Sequence, residues 1–228
     1  MEKKQYDLCL EILRRFDQAG LLNDLILIGS WCVYFYEDYF TGKTRIDHAS
    51  LKTRDIDFLI RNPSGFKQKI DIPDLLKDLG FIVDFKGSKG YIQLNHPDMI
   101  LEFLVQEKGR GLDKPYPLPQ LGVNATALRF LNFLSEHIIK VKVGDLVLNV
   151  PHPACFAVHK LIIAGRRTKR EKAVKDQSTA RAILKVLLAE GEGRAVRNIF
   201  LSTPKTWQGK ILKSLDPIVD EDILLILK

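Results

Sequence analysis

The stretch Thr53-Arg54-Asp55-Ile56-Asp57-Phe58-Leu59-Ile60 decides the fold of this chain. Its composition predicts a β-strand, in which alternate side chains share a face, so Asp55 and Asp57 point the same way, about 6 to 7 Å apart. Ile56, Phe58 and Ile60 point to the other face. Two neighbouring carboxylates repel each other and resist burial. We therefore expect a cation between them, and a divalent metal ion meets that need.

An earlier stretch, Leu25-Ile26-Leu27-Ile28-Gly29-Ser30, predicts a short buried strand that ends in a Gly-Ser turn. The aromatic-rich segment from Trp31 to Asp38 follows and is predicted to be helical. Backbone N–H groups and the Ser30 hydroxyl at a helix start can bind a phosphate group. The two stretches together therefore predict a metal site and a phosphate site.

A third acid lies within a later apolar run, Met99-Ile100-Leu101-Glu102-Phe103-Leu104-Val105, which predicts a central strand. An ionised carboxylate is costly inside such a run unless it is paired or bound to a metal. Two interpretations of Glu102 follow. It is a third metal ligand, or it caps a sheet edge or pairs with an arginine.

Length and composition limit the class of protein. The chain has 228 residues, 46% of them hydrophobic, which suits one large domain or two small ones. A net charge of +7 favours polyanionic partners. No run is apolar enough for a membrane span or signal peptide, so we expect a cytoplasmic protein. The three cysteines are widely spaced and are expected to be buried thiols.

The order of predicted elements indicates two domains. The pattern predicts an amphipathic helix over 5–19, hairpins over 81–94 and 138–150, and a helix over 127–134. Residues 39–52 are predicted to form a loop, either a mobile lid or an ordinary insertion. From residue 154 onward only helical periods occur. We therefore predict a mixed domain over 1–150 and an all-helical domain over 151–228.

Basic residues are concentrated between the first two predicted helices of the second half, over 166–175. Two interpretations remain open. The segment is a solvated turn, or it faces a phosphate site and clamps a polyanion.

Three features together resemble the signature of the DNA polymerase β-like nucleotidyltransferase superfamily: Gly29-Ser30, Asp55-Ile56-Asp57 and Glu102. In the second half, Lys160 and the pair Lys175-Asp176 resemble the helical part of bacterial AbiE-type toxin nucleotidyltransferases and related uncharacterised ones. The resemblance implies an α+β fold, with a mixed β-sheet core followed by an all-helical C-terminal domain. It also implies a cytoplasmic bacterial enzyme and, for a toxin, an antitoxin partner.

The activity implied by the resemblance is magnesium-dependent transfer of a nucleoside monophosphate from a nucleoside triphosphate to an acceptor hydroxyl. The acceptor is an RNA 3′ end, a protein or a small molecule. The implied site consists of catalytic acids that hold two Mg²⁺ ions (Asp55, Asp57, Glu102), residues that bind the β- and γ-phosphates (Gly29, Ser30), lysines that offset the triphosphate charge (Lys160, Lys175), and Asp176, which orients a lysine or the acceptor.

Two other functions are compatible with these residues. One is a catalytically silent nucleotide- or RNA-binding module of the same fold, which the three intact acids disfavour. The other is a metal-dependent nuclease. Such nucleases use a lysine two residues after the second acid, and Leu104 occupies that position after Glu102.

Overall fold

The computed structural model describes residues 3–40, 53–109, 114–216 and 218–228. Most of the predicted loop over 39–52 therefore lies outside the described residues. The described chain divides into two compact units. The first holds the residues up to Phe35 and those of 53–150, and the second holds Tyr36–Phe40 and the chain from Pro151.

Strands dominate the first unit. Within the described residues seven strands form one sheet, in which β1-β2-β5-β4-β3 lie side by side and β7 pairs with both β5 and β6; β8 and β9 form a separate hairpin. The strands are β1 Leu25–Ile28, β2 Asp55–Ile60, β3 Ile82–Lys86, β4 Tyr91–His96, β5 Met99–Gln106, β6 Tyr116–Leu118, β7 Val123–Leu128, β8 Ile138–Val143 and β9 Leu146–Pro151.

The described residues also form nine α-helices and three short 3₁₀ segments. The helices are α1 Lys3–Gln18, α2 Trp31–Phe35, α3 Ile72–Leu76, α4 Leu131–Glu136, α5 Pro153–Ala164, α6 Arg170–Ala189, α7 Gly193–Ser202, α8 Lys205–Ser214 and α9 Glu221–Leu227. The 3₁₀ segments are Tyr36–Asp38, Lys77–Leu79 and Pro119–Leu121. No helix in these ranges is long and apolar enough to cross a bilayer.

The core of the first unit lies between α1 and one face of the sheet. The apolar side of α1 ends in Phe16, whose ring centroid lies 5.3 Å from that of Phe58 on β2 and 6.5 Å from that of Phe103 on β5. Both sheet residues are buried, and full burial of such a side chain contributes about 1.5–3 kcal/mol. This packing fixes which face of β2 and β5 points inward, and so leaves their acids on the opposite face.

Three strands of the sheet, β2, β5 and β7, run in the same direction. β2 is parallel to β5, and β5 is parallel to β7, whereas β1 is antiparallel to β2. The carboxyl ends of the three parallel strands therefore meet at one edge of the sheet, and the first residues of β2 and β5 lie toward the other.

The predicted fold class, a mixed sheet core followed by C-terminal helices, is confirmed. The predicted helix over 127–134 is wrong at its start, because Ala127 and Leu128 belong to β7 and α4 begins at Leu131. Pairing with β5, a long-range interaction, overrides the helical preference of these two residues. The sequence analysis also did not predict the strand β6.

Helices form the second unit, and the short segment after α2 packs with them. The Tyr36 hydroxyl donates a hydrogen bond to the Pro151 carbonyl (2.8 Å), and its ring lies 5.8 Å from that of Phe156 on α5. α6 begins at Arg170, so the basic segment over 166–175 is a turn in its first part and helix in the rest.

Candidate functional site

The three predicted acids project from one face of the sheet. Asp57 on β2 is directly opposite Glu102 on the parallel strand β5, and residues in register on neighbouring strands share a face. Asp55 precedes Asp57 by two positions and so shares that face. Phe58, one position later, points into the core. The alternation predicted for this strand therefore holds, with the acids away from the core.

Gly29 lies against the carboxylate of Asp57. Its φ angle is +79°, a conformation that side chains disfavour, and a Cβ at this position would lie only 2.6 Å from Asp57 Oδ2. Ile28, the last residue of β1, is opposite Asp57 in the sheet. Any side chain at residue 29 would collide with the Asp57 carboxylate. The close approach of the backbone to this acid therefore requires glycine.

The Gly-Ser turn leads directly into α2, which begins at Trp31 as predicted. The carbonyls of Gly29 and Ser30 accept hydrogen bonds from the N–H groups of Cys32 (3.3 Å) and Val33 (3.2 Å). The Cys32 thiol donates to the Leu27 carbonyl on β1 (2.9 Å). These contacts hold the turn between β1 and α2 in place. The partly buried Ser30 directly follows Gly29 and so lies in the same turn, beside the Asp57 carboxylate.

Glu102 already has partners in this structure, and the sequence pattern predicted neither of them. Lys86 Nζ, from edge strand β3, lies 3.0 Å from Glu102 Oε1, and the Gln93 amide on β4 donates to the same oxygen. Of the two interpretations of Glu102, pairing with a cation therefore describes this conformation, with a lysine in place of the arginine. Polar residues at alternate positions of the predicted hairpin were the available signal.

The residue types fit magnesium, because Mg²⁺ prefers carboxylate oxygens and retains several waters. Asp55 is exposed, and Asp57 and Glu102 are partly buried, so water and ions can reach the group. Among the described residues, however, no three His, Cys, Asp or Glu side chains lie close enough together to hold a metal ion. Glu102 would have to exchange its contact with Lys86 for a metal contact.

Two predicted residues of the helical unit, Lys160 and Asp176, form a largely buried ion pair, and the more exposed Arg167 joins them in an ionic cluster. Asp176 accepts hydrogen bonds from Lys160 Nζ and from Arg167 Nε, each at 2.7 Å. Only 12% of the Lys160 side chain and 5% of the Asp176 side chain are exposed, and Lys160 Nζ lies 5.4 Å from the centre of the Phe156 ring. Two cations share one carboxylate, which leaves one positive charge in excess.

The roles assigned to Lys160, Lys175 and Asp176 stay predictions, as do those of the three acids and the Gly-Ser turn. Lys175 directly precedes Asp176 on α6 and is partly buried. Arg167 is the residue of this cluster that the sequence pattern did not single out. Its position within the basic segment was the available signal.

Solved structures with similar shapes include two of ANT(2'')-Ia. One is a solution structure of this antibiotic-resistance factor, with 16% identity, a TM-score of 0.49 and coverage of 89% of this chain and 94% of that one. The other is a crystal structure of ANT(2'')-Ia in complex with adenylyl-2''-tobramycin, with 15% identity, a TM-score of 0.46 and coverage of 85% and 98%.

A third similar structure is an antigenic nucleotidyltransferase-like protein from Paracoccidioides brasiliensis, with 12% identity, a TM-score of 0.46 and coverage of 95% of this chain and 88% of that one. No curated protein matches this chain at a significant level. A family model described as Nucleotidyltransferase matches residues 8–201 and so spans both the acidic sheet and the first helices of the second unit. This chain therefore belongs to the Nucleotidyltransferase family.

Proposed function

We propose that this protein transfers a nucleoside monophosphate from a nucleoside triphosphate to an acceptor hydroxyl in a magnesium-dependent reaction. The observation that carries the proposal is the position of Asp57, which is opposite Glu102 and so close to Gly29 that a Cβ on residue 29 would lie 2.6 Å from its carboxylate. Membership of the Nucleotidyltransferase family supports the class of reaction.

The acids Asp55, Asp57 and Glu102 would hold the magnesium ions. Magnesium bound there would lower the pKa of the acceptor hydroxyl and neutralise the charge of the departing pyrophosphate. Asp57 occupies the middle of this group, because it neighbours Asp55 along β2 and Glu102 across the sheet. Its loss would therefore affect both ions.

The protein itself binds and orients the triphosphate. In this proposal the backbone of Gly29 and the hydroxyl of Ser30 bind the β- and γ-phosphates beside Asp57. Lys160 and Lys175 offset the remaining negative charge. Asp176 holds the Lys160 ammonium in place, a role that their 2.7 Å contact supports.

The acceptor is an RNA 3′ end, a protein or a small molecule, and the net charge of +7 favours RNA. The closer resemblance to AbiE-type toxins, with an antitoxin partner, stays a prediction, as do the bacterial origin and the cytoplasmic location.

The contact between Lys86 and Glu102 favours one alternative, a catalytically silent nucleotide- or RNA-binding module. If Lys86 stayed paired with Glu102, the protein would still bind nucleotide but could not catalyse transfer. The transferase consumes nucleoside triphosphate, whereas the silent module only binds it.

Incubation of the full chain with each nucleoside triphosphate, labelled at the α-phosphate, distinguishes them. The mixtures contain Mg²⁺ and, in turn, cellular RNA, cellular protein or a hydroxyl-rich small molecule such as tobramycin. We expect label in one acceptor class, release of pyrophosphate, and loss of both with a chelator. Saturable nucleotide binding without labelled acceptor or pyrophosphate would support the silent module and contradict transfer.

A further inference from the structure

A cavity of about 190 Å³ lies within the first unit at the carboxyl ends of the parallel strands β2, β5 and β7. Ligands of open sheets bind outside the carboxyl ends of parallel strands, where the chain leaves the sheet and exposes side chains and backbone groups. None of the three acids lines this cavity. Asp57 precedes the cavity residue Ile60 by three positions, which is about 10 Å along the strand.

The floor of the cavity is a row of apolar side chains across the three strands. Ile60 is opposite Val105, and Val105 is opposite Ala127, so the three lie side by side. Ile60 and Val105 are buried. Tyr116 on β6 lines the same cavity and is 37% exposed. Ile60 and Val105 expose only 1% and 2% of their surface, so the accessible apolar surface of the cavity comes from the partly exposed Ala127 and from the ring of Tyr116.

The charged lining is positive. Arg61 follows the last residue of β2, and Lys108 lies two residues after the end of β5. Neither makes an ion pair or a side-chain hydrogen bond with any residue in the described parts of the chain. The acid that lines the cavity, Glu107, is paired with Arg129 at 3.3 Å. Within the described ranges, neither cation is therefore neutralised by a carboxylate of the cavity lining.

We propose that this cavity binds a compact organic anion, with a carboxylate or phosphate head and a flat apolar body. The head would contact Arg61 and Lys108, and the body would lie on Ala127 and against the ring of Tyr116. The volume is below the roughly 300–1,000 Å³ of sites for drug-sized ligands. A ligand smaller than a nucleoside triphosphate therefore fits the cavity best, and none of the proposed catalytic acids lines it.

Titration of the full chain with phenyl phosphate and with benzoate tests the proposal, with benzyl alcohol as the uncharged analogue. The methyl NMR resonances of Ile60, Val105 and Ala127 report binding at the floor, and those of Ile183 in the helical unit serve as the reference. We expect saturable shifts at the floor with at least one anion, at least tenfold weaker binding of the alcohol, and no shift at Ile183. The tighter anion identifies the head group.

Variants locate the charge contacts. Arg61→Met and Lys108→Met should each weaken anion binding by about tenfold, because a hydrogen bond to a charged group is lost. The matched control is Lys140→Met on β8, an exposed lysine away from the cavity, which should bind as the wild type does. All three replaced side chains are exposed, so these variants should fold normally.

The proposal is overturned if neither anion gives saturable shifts at the floor. It is also overturned if both Arg61→Met and Lys108→Met bind as tightly as the wild type, or if Lys140→Met weakens binding as much as they do. The readout is binding alone, so the result does not depend on nucleotidyl transfer.

Discussion

Asp57 and Glu102 occupy directly opposite positions on two neighbouring parallel strands, and Glu102 is held on its far side by Lys86. A metal ion at Asp57 and the Lys86 ammonium would therefore compete for the same carboxylate. The Lys86 side chain is 62% exposed, so its contact with Glu102 is weak enough to be exchanged.

Replacement of Lys86 tests this competition. We expect Lys86→Met to raise the affinity for Mn²⁺, used as a magnesium analogue, by about two- to fivefold, because an exposed ion pair contributes about 0.5–1 kcal/mol. Calorimetric titration measures the change. Lys142→Met, an exposed lysine on β8, is the control and should leave the affinity unchanged. Lower affinity in Lys86→Met would show that Lys86 assists metal binding.

Substitution of Gly29 tests the close approach of the backbone to Asp57. Gly87 is a matched control, because its φ angle is +66° and its position has open space, whereas Gly29 has Asp57 Oδ2 at 2.6 Å. Gly87→Ala should cost about 1 kcal/mol of unfolding free energy, from backbone strain alone. Gly29→Ala should cost more and should also weaken metal binding. Urea denaturation measures the difference, and equal costs would contradict the contact.

The cluster around Asp176 should contribute strongly to stability. Asp176→Asn removes the charge that two cations share, and breaking a buried ion pair costs about 3 kcal/mol. Glu171→Gln, an exposed acid on the same helix, should change the unfolding free energy by less than about 0.5 kcal/mol.

The double variant Lys160→Met/Asp176→Asn separates charge from packing. It should be more stable than Asp176→Asn alone, because it removes the buried cation that the first change leaves unpaired. If the double variant loses the sum of the single effects, the two side chains act independently and the cluster is not a unit.

The buried His159 predicts a loss of stability in acid. Burial, and next the neighbouring Lys160, lower its pKa from 6.5 to about 3. Between these values the unfolded chain binds a proton that the folded chain does not, so stability falls as the pH falls from about 6.5 toward 3, by roughly 1.4 kcal/mol per pH unit at most. Above pH 6.5 this contribution is constant.

Comparison of the wild type with His159→Leu separates the effect of His159 protonation on stability from the effect of carboxylate protonation. The variant should show a shallower decline of the unfolding free energy between pH 6 and pH 4, measured by urea denaturation. Parallel pH profiles for the wild type and the variant would contradict a neutral, buried His159.

The sequence predicted the features that depend on local pattern. Apolar runs predicted β1, β2 and β5, turn residues predicted the β3–β4 hairpin, and alternation predicted that Asp55 and Asp57 share a face. The strand β7 did not, because Ala127 and Leu128 favour a helix locally and become a strand only by pairing with β5.

The partners of Glu102 were also beyond the reach of local pattern. Lys86 comes close to Glu102 only because β4 lies between β3 and β5 in the sheet, and strand order is a property of the whole fold. The same holds for the cavity at the carboxyl ends of β2, β5 and β7, which four separate segments of the chain form together: 60–64, 105–108, Tyr116 and Ala127.

We propose that Asp57 binds the metal ions used in nucleotidyl transfer. The most direct test of this proposal is the rate of pyrophosphate release by Asp57→Asn with the acceptor and nucleotide identified for the wild type. The control is Asp84→Asn, an acid on edge strand β3 of the same sheet. We predict a loss of about 100-fold or more for Asp57→Asn, more than the 10–100-fold typical of outer-shell residues, with near-normal rates for Asp84→Asn. Wild-type turnover by Asp57→Asn would contradict the account.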